Sequence, residues 1–253
     1  VMPIELSREP LLSFMHAPNK TALYGPSWIL LTSIPFFAGA GNLFLTIFTF
    51  KLFNFLFYIG TCYLLFSLSK RDAVKLTLFA LNPLVVIETL VSGHNDIAMV
   101  FFALLSFYLL GKKLYIFAAS TILISILIKF ATVFLLPVFI YTFIKSCRGQ
   151  KINWQGVWIY CFITMLGAFF LSPLREEMYS WYFIWPFTFL VLIQGYEFIK
   201  LAAISLMFGL LLRFAPYIYF RTWGGITPLV KTLVTILPVI LSFLVYPLRK
   251  YLK

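Results

Sequence analysis

Charge is what this sequence has least of. Only 11% of its residues are Asp, Glu, Lys or Arg, while 62% are hydrophobic and 20% aromatic. A soluble globule carries roughly 25% charged residues, so a water-soluble domain is excluded. Acidic side chains number 8 and histidines 2 in 253 residues. The three cysteines, Cys62, Cys147 and Cys161, have no ligand or framework spacing, which excludes a zinc site or disulfide scaffold and leaves buried thiols. No Gly-rich phosphate loop, Ser-His-Asp arrangement or His-Glu-x-x-His helix is present, so a soluble nucleotide-sugar site has no home here. The net charge of +12 is scattered through the connectors rather than gathered in one patch, so nucleic acid is not an expected partner. No internal repeat is visible.

What is there is a series of continuous apolar runs broken by short polar punctuation, the pattern of a polytopic all-α transmembrane bundle rather than a barrel. The lipid bilayer is therefore the first expected partner. Residues 1–42 read as an extracytoplasmic loop with an interfacial or re-entrant helix over Ser27 to Ala38. About twelve helical residues cover only about 18 Å, short of a core of roughly 30 Å. Residues 43–253 read as one bundle of about nine crossings: Leu43–Ser69, Ala73–Val91, Ile97–Leu110, two helices within Leu114–Tyr141 hinged at Lys129, Val157–Leu171, Trp181–Ile193, Phe198–Phe214 and Ile226–Pro247.

Charge parity chooses two helices over one within Leu114–Tyr141. Two place Lys145, Arg148 and Lys151 on the side of Lys70, Arg71, Lys112 and Lys113. With Lys75, Lys200, Arg249, Lys250 and Lys253, that side holds 12 of the 20 basic residues. It is the cytoplasmic side of the plasma membrane by the positive-inside rule, with the C-terminus cytoplasmic. Six of the 8 acidic residues, Glu5, Glu9, Glu88, Asp96, Glu176 and Glu177, fall at the opposite face. The opening VMPIELSREP lacks a signal peptide's basic and apolar regions, and the expectation is a fragment whose first helix lies upstream.

The chain's chemistry concentrates in Leu81–Val100. Glu88 sits inside an apolar run, and the turn after Ser92-Gly93 brings His94, Asn95 and Asp96 together. Ionisable groups in a membrane segment point to function, although Asn95 or Asp96 capping the next helix is the plain alternative. Carboxylate, imidazole and amide groups can bind a metal, orient a sugar hydroxyl or move a proton. Lys51 and Lys129 are candidates for a lipid phosphate, against simple snorkelling to the interface. Arg175, Glu176 and Glu177 lead into Tyr179, Trp181 and Tyr182, which read as an interfacial aromatic belt or as a surface for a sugar or lipid headgroup. Tyr217, Tyr219, Arg221 and Trp223 carry the same two readings, and His16 says little.

Asn82-Pro83 with Glu88 and Gly93-His94-Asn95-Asp96, preceded by Tyr24-Gly25-Pro26 and followed by Tyr179 to Pro186, resembles the multi-spanning glycosyltransferases of the GT-C superfamily. The likeness is to polyprenol-phosphate-mannose-dependent mannosyltransferases and runs from about Tyr24 to Pro186. It implies a polyprenyl-phosphate-linked sugar donor, a glycan or glycolipid acceptor and inverting transfer at the extracytoplasmic face. A carboxylate of the first extracytoplasmic loop would act as base, and cationic or polar groups would stabilise the departing phosphate. Lys129 resembles a basic residue that follows an ascending helix in such proteins. The usual catalytic aspartate has no match here, since Glu5 and Glu9 are the only carboxylates before Tyr24. The base is therefore expected upstream of Val1, and Glu88, His94, Asn95, Asp96, Lys129 and the Arg175–Tyr182 segment are expected to bind substrate. No metal ligand set is evident, and a divalent cofactor stays open. A transporter or lipid flippase, and a non-catalytic membrane subunit, are the competing readings.

Overall fold

A computed structural model describes residues 24–174 and 177–248, all helical in their regular structure. Glu5, Glu9, His16, Arg175, Glu176 and the basic tail Arg249, Lys250 and Lys253 lie outside the described residues. The chain enters at Gly25, whose N–H donates to the Ile128 carbonyl at 3.1 Å, and Pro26 starts α1 (Pro26–Ala38) at the position where its missing N–H costs nothing. The turn Ala40-Gly41, with φ of 48° and 75°, ends it. Asn42 then caps α2 (Leu43–Leu68) by accepting from the Leu45 N–H. At 26 residues, α2 is the longest helix among the described residues.

Lys70 and Arg71 turn the chain with positive φ, and the Asp72 carboxylate caps α3 (Ala73–Ala80). Asn82-Pro83 is a second helix start. Asn82 accepts from the Leu84 N–H and Pro83 opens α4 (Pro83–Val86). The expected single helix Ala73–Val91 is thus two pieces bent by 55°. Beyond Val86 the chain widens into a π-helical turn, Ile87–Val91, a distortion common at functional sites.

After the turn at Gly93 come α5 (Asp96–Gly111) and α6 (Tyr115–Ile128). Lys129 breaks α6 with extended backbone, φ −153° and ψ 124°, and a 3-10 turn over Phe130–Leu135 leads into α7 (Leu136–Cys147). The chain therefore breaks at Lys129, the expected position of the hinge between two helices. The helix α7 runs past the expected Tyr141, and Lys145 in its last turn complements the helix dipole. Then follow α8 (Trp154–Leu171), a 3-10 turn Ser180–Phe183 feeding α9 (Ile184–Leu192), α10 (Glu197–Leu212), α11 (Ala215–Phe220) and α12 (Thr227–Leu248).

By length and composition five helical segments can cross a membrane: Leu43–Leu68, Phe130–Cys147, Trp154–Leu174, Glu197–Phe220 and Thr227–Leu244. The bent α3–α4 pair makes a sixth. Asp96–Gly111, Tyr115–Ile128 and Ser180–Leu192 are shorter apolar helices, so the nine expected crossings reduce to five or six by this measure. The helix α1 is short, as expected for the interface. The interior is aromatic: Phe79, Phe107, Phe169, Phe183, Phe187 and Phe189 are fully buried. Large apolar side chains such as Phe37, Phe44, Leu56 and Phe208 instead cover the outside, an arrangement suited to lipid rather than water.

The bundle has two polar ends. At one, Lys75 Nζ donates to the Leu192 carbonyl at 2.9 Å, and Gln155 exchanges hydrogen bonds with the Gln194 backbone. At the other, the start of α5, the end of α6 and the Ser180–Trp185 segment converge.

Candidate functional site

The π-helical turn positions Glu88 with its side chain buried, 3% exposed, facing the Ser92–Asn95 connection. Three groups meet it there. The Ser180 hydroxyl donates to Glu88 Oε1, the His94 N–H donates to the Glu88 carbonyl at 3.0 Å, and His94 Nε2 lies 3.4 Å from Glu88 Oε2. Ser180 arrives from 92 residues downstream, which ties the aromatic segment to the turn. The His94 ring stacks on Trp181 with centroids 3.8 Å apart, and Trp181 stacks in turn on Tyr179 at 4.5 Å. Burial pushes the His94 pKa below its ordinary value; the Asp96 carboxylate opposes this and the Lys129 ammonium reinforces it.

Asp96, 1% exposed, is the centre of the second half. Its Oδ1 accepts from Lys129 Nζ at 2.9 Å and from Trp185 Nε1 at 2.5 Å. The Lys129 ammonium also sits 4.2 Å from the Tyr182 ring centre and 5.2 Å from that of Trp185. Extended backbone at Lys129 is what allows this, because it swings the side chain off the end of α6 toward the start of α5. Ser125 secures the same crossing by donating to the Met99 carbonyl. Helix capping does not explain these residues: Asn95 makes no side-chain cap, and Asp96 Oδ1 is taken by Lys129 and Trp185. Among the described residues, Asp96 Oδ2 and Asn95 Nδ2 are buried without a hydrogen-bond partner. Buried polar atoms are normally satisfied, so this wall retains unused capacity to bind.

Lys51 stands behind the turn. Its Nζ donates to the carbonyls of Val91 at 2.6 Å and Leu90 at 3.4 Å, and Asn54 Nδ2 donates to the Gly93 carbonyl at 2.7 Å. Trp28, Phe50, Lys51, Asn54 and Gly93 line a cleft of about 260 Å³ between α1, α2 and the turn. Asn54 lines this candidate site and was missed by sequence reasoning, and its signal was a lone amide inside an apolar run.

Glu177 does not join Glu88 and Asp96 in any ion pair among the described residues. It pairs with Arg213 Nη2 at 2.9 Å and with Lys231, cations at the C-terminal end of α10 and on α12 that are absent from the expected site. Burial alone would raise its pKa, but the hydrogen bonds and charges of Lys231 and Arg213 outweigh that and hold it below the ordinary 4.5. Arg175 and Glu176, expected beside it, lie outside the described residues. Among the described residues no three His, Cys, Asp or Glu side chains converge to hold a metal ion.

A multi-pass helical bundle with a carboxylate, imidazole and ammonium network gathered at one end is the class that fold and site define. A family model for the MptA/B family, described as alpha-(1->6)-mannopyranosyltransferase, N-terminal domain, matches residues 17–145. That is more than half of the chain, and the chain belongs to this family of mannosyltransferases. No curated protein and no solved structure gives a match. The matched span contains Tyr24-Gly25-Pro26, Glu88, the His94–Asp96 turn and Lys129, while the aromatic segment and the Glu177 pair lie beyond it.

Proposed function

We propose that this protein transfers a hexose, mannose by its family, from a polyprenyl-phosphate-linked donor to a glycan or glycolipid acceptor at the extracytoplasmic face of the plasma membrane. The observation that carries this reading is the joint assembly of Glu88–His94 and Asp96–Lys129 at one end of the bundle, opposite the end that bears Lys75 and Gln155. In the reaction the acceptor hydroxyl attacks the anomeric carbon, its proton passes to a carboxylate, and the bond to the lipid phosphate breaks with inversion. Glu88, His94, Asn95 and Asp96 form a wall that binds sugar hydroxyls, and Tyr179, Trp181 and Tyr182 brace it with stacked rings.

Of the two lysines suited to the departing phosphate, Lys129 is already matched by Asp96. The described partners of Lys51 are neutral carbonyls, which leave its charge uncompensated, so Lys51 is the better placed. In this reading the three shorter helices complete nine crossings, with α1 lying in the interface and the C-terminus cytoplasmic. The inward alternation of Lys70, Lys112, Lys145 and Gln194 against Gly93, Lys129, Glu177 and Arg213 supports it.

The test is transfer of labelled mannose from polyprenyl-phosphate-mannose in membranes carrying the full-length protein. Asp96→Asn and His94→Ala are expected to abolish most of it. Wild-type transfer by both variants would overturn the site, and uptake of an unmodified substrate into proteoliposomes would favour a transporter instead.

A further inference from the structure

The pairing of Glu177 with Arg213 and Lys231 is unbalanced in a way that points to a ligand. Both cations converge on one oxygen, Oε1, of a single carboxylate. Among the described residues the cluster therefore holds two positive charges against one negative. The Glu177 side chain is 41% exposed, whereas those of Arg213 and Lys231 are 17% and 10% exposed. The cations are thus built into the protein and the carboxylate reaches in from the surface.

The surrounding framework is closely packed. Thr227, Lys231 and Thr235 recur every four residues on α12, which places them on one stripe of the helix. That stripe faces α10, and a Cβ added at Gly209 would lie 2.2 Å from the Thr235 carbonyl oxygen, so the two backbones are in close contact beside the cluster. Arg213 Nη1 reaches Thr235 Oγ1 at 3.5 Å, and the Trp223 ring, itself stacked on Tyr217 at 3.8 Å, lies 4.8 Å from Lys231 Nζ. Two donors remain unused among the described residues: Arg213 Nε and the Thr227 hydroxyl are buried without a partner.

A carboxylate offers two oxygens, and a phosphate ester offers more acceptors with at least as much charge. Arg matches phosphate with its planar fork, and Lys adds a point charge. We propose that Arg213 and Lys231 form a binding site for the phosphate of a membrane lipid, and that Glu177 occupies it as an internal substitute until that phosphate displaces it. The site is separate from Lys51 and stands whether or not the chain transfers mannose. Its phosphate belongs either to a polyprenyl phosphate or to an anionic phospholipid headgroup.

The experiment uses the full-length protein in nanodiscs of neutral phosphatidylcholine and measures binding of polyprenyl monophosphate by native mass spectrometry. Uncharged polyprenol and phosphatidylglycerol are run in parallel. Arg213→Gln and Lys231→Gln are each expected to weaken polyprenyl-phosphate binding roughly ten- to a hundredfold, the worth of one charge-assisted hydrogen bond. Glu177→Gln is expected to tighten it several-fold by removing the competitor, which a merely structural ion pair would not do. Arg213→Lys and Lys231→Arg keep the charge and recover part of the affinity, which separates binding from folding. Preference for polyprenyl phosphate over phosphatidylglycerol assigns the site to the isoprenoid lipid, and equal binding assigns it to headgroups in general. Polyprenol binding as tightly as its phosphate overturns the proposal. So does Glu177→Gln with unchanged affinity, or a loss confined to Lys51→Gln. Because the readout is binding, a failure here leaves the transfer assay as an independent test of the mannosyltransferase activity.

Discussion

The imidazole of His94 lies nearly parallel to the indole of Trp181, with ring centroids 3.8 Å apart and an interplanar angle of 18°. That contact removes much of the imidazole from solvent, which disfavours its charged form and depresses its pKa from 6.5. In the unfolded chain the ring protonates more readily, so the unfolded state binds more protons as pH falls. The contribution of His94 to stability is therefore complete above about pH 6.5, is lost as pH falls from there through the depressed folded value, and is constant below it. Thermal unfolding of the full-length protein in detergent between pH 5 and 8 is expected to show this loss. His94→Gln should flatten that part of the profile, and an identical profile in the variant would refute the assignment.

Asp96 and Lys129 form the buried counterpart. Removing one partner of a buried pair leaves a charge without compensation, at a cost of about 3–5 kcal/mol. Asp96→Asn is thus expected to lower the unfolding temperature sharply and to end transfer. The double variant Asp96→Asn with Lys129→Met should regain stability without regaining transfer. If it regains neither, the cost of Asp96→Asn comes from weakening the Trp185 hydrogen bond, which then runs to a neutral amide oxygen, rather than from the stranded ammonium.

Much of this candidate site was legible in the sequence as a set of residues that the fold brings together, for a physical reason. In an apolar chain every ionisable residue stands out, so Glu88, His94, Asp96 and Lys129 could be named from composition and spacing alone. The break at Lys129 could be placed because a lone charge interrupts an apolar run there. What sequence could not supply was pairing through space. Nothing local to Ser180 says that its hydroxyl meets a carboxylate 92 residues earlier. Nothing near Lys231 says that it shares Glu177 with Arg213, and a lone lysine in an apolar helix reads first as a snorkelling one. The bend at Asn82-Pro83 was also missed as a break. The pair is a capping residue followed by proline, a helix start embedded in a run whose hydrophobicity reads as continuous.

The Tyr24-Gly25-Pro26 triplet has a steric explanation that gives a third prediction. A Cβ at Gly25 would fall 2.0 Å from the Leu127 carbonyl oxygen, a backbone atom that cannot swing aside. Gly25 is needed for closeness rather than for its dihedral angles, since its φ is −73°. Gly25→Ala is expected to push α1 off the end of α6 and to cost about 1–3 kcal/mol, as overpacking does. Because Trp28 of α1 lines the cleft beside Lys51, transfer should fall with it. Hydrogen exchange would localise the damage to Pro26–Ala38 and the Ile128–Lys129 hinge. Protection unchanged in those segments would mean that the contact is not structural.

Glu88 gives the sharpest separation between a structural and a functional carboxylate. It is buried, it accepts from Ser180, and it faces His94, so Glu88→Ala removes an acceptor from two polar groups and is expected to impair folding. Glu88→Gln keeps the volume and an oxygen for the Ser180 hydroxyl, and replaces the oxygen that faces His94 with an uncharged NH2 group. If Glu88 serves the fold alone, Glu88→Gln should be nearly silent in both unfolding temperature and transfer. If it holds a sugar hydroxyl or sets the charge state around His94, the variant should fold normally and lose roughly ten- to a hundredfold in transfer, the worth of a charge-assisted hydrogen bond. Ser180→Ala then reports the direction of the effect. It removes a donor from the charged carboxylate and leaves the charge in place, so it should lower transfer less than Glu88→Gln does. Full transfer by a folded Glu88→Gln protein would remove Glu88 from the substrate wall and leave Asp96 and Lys129 to carry it.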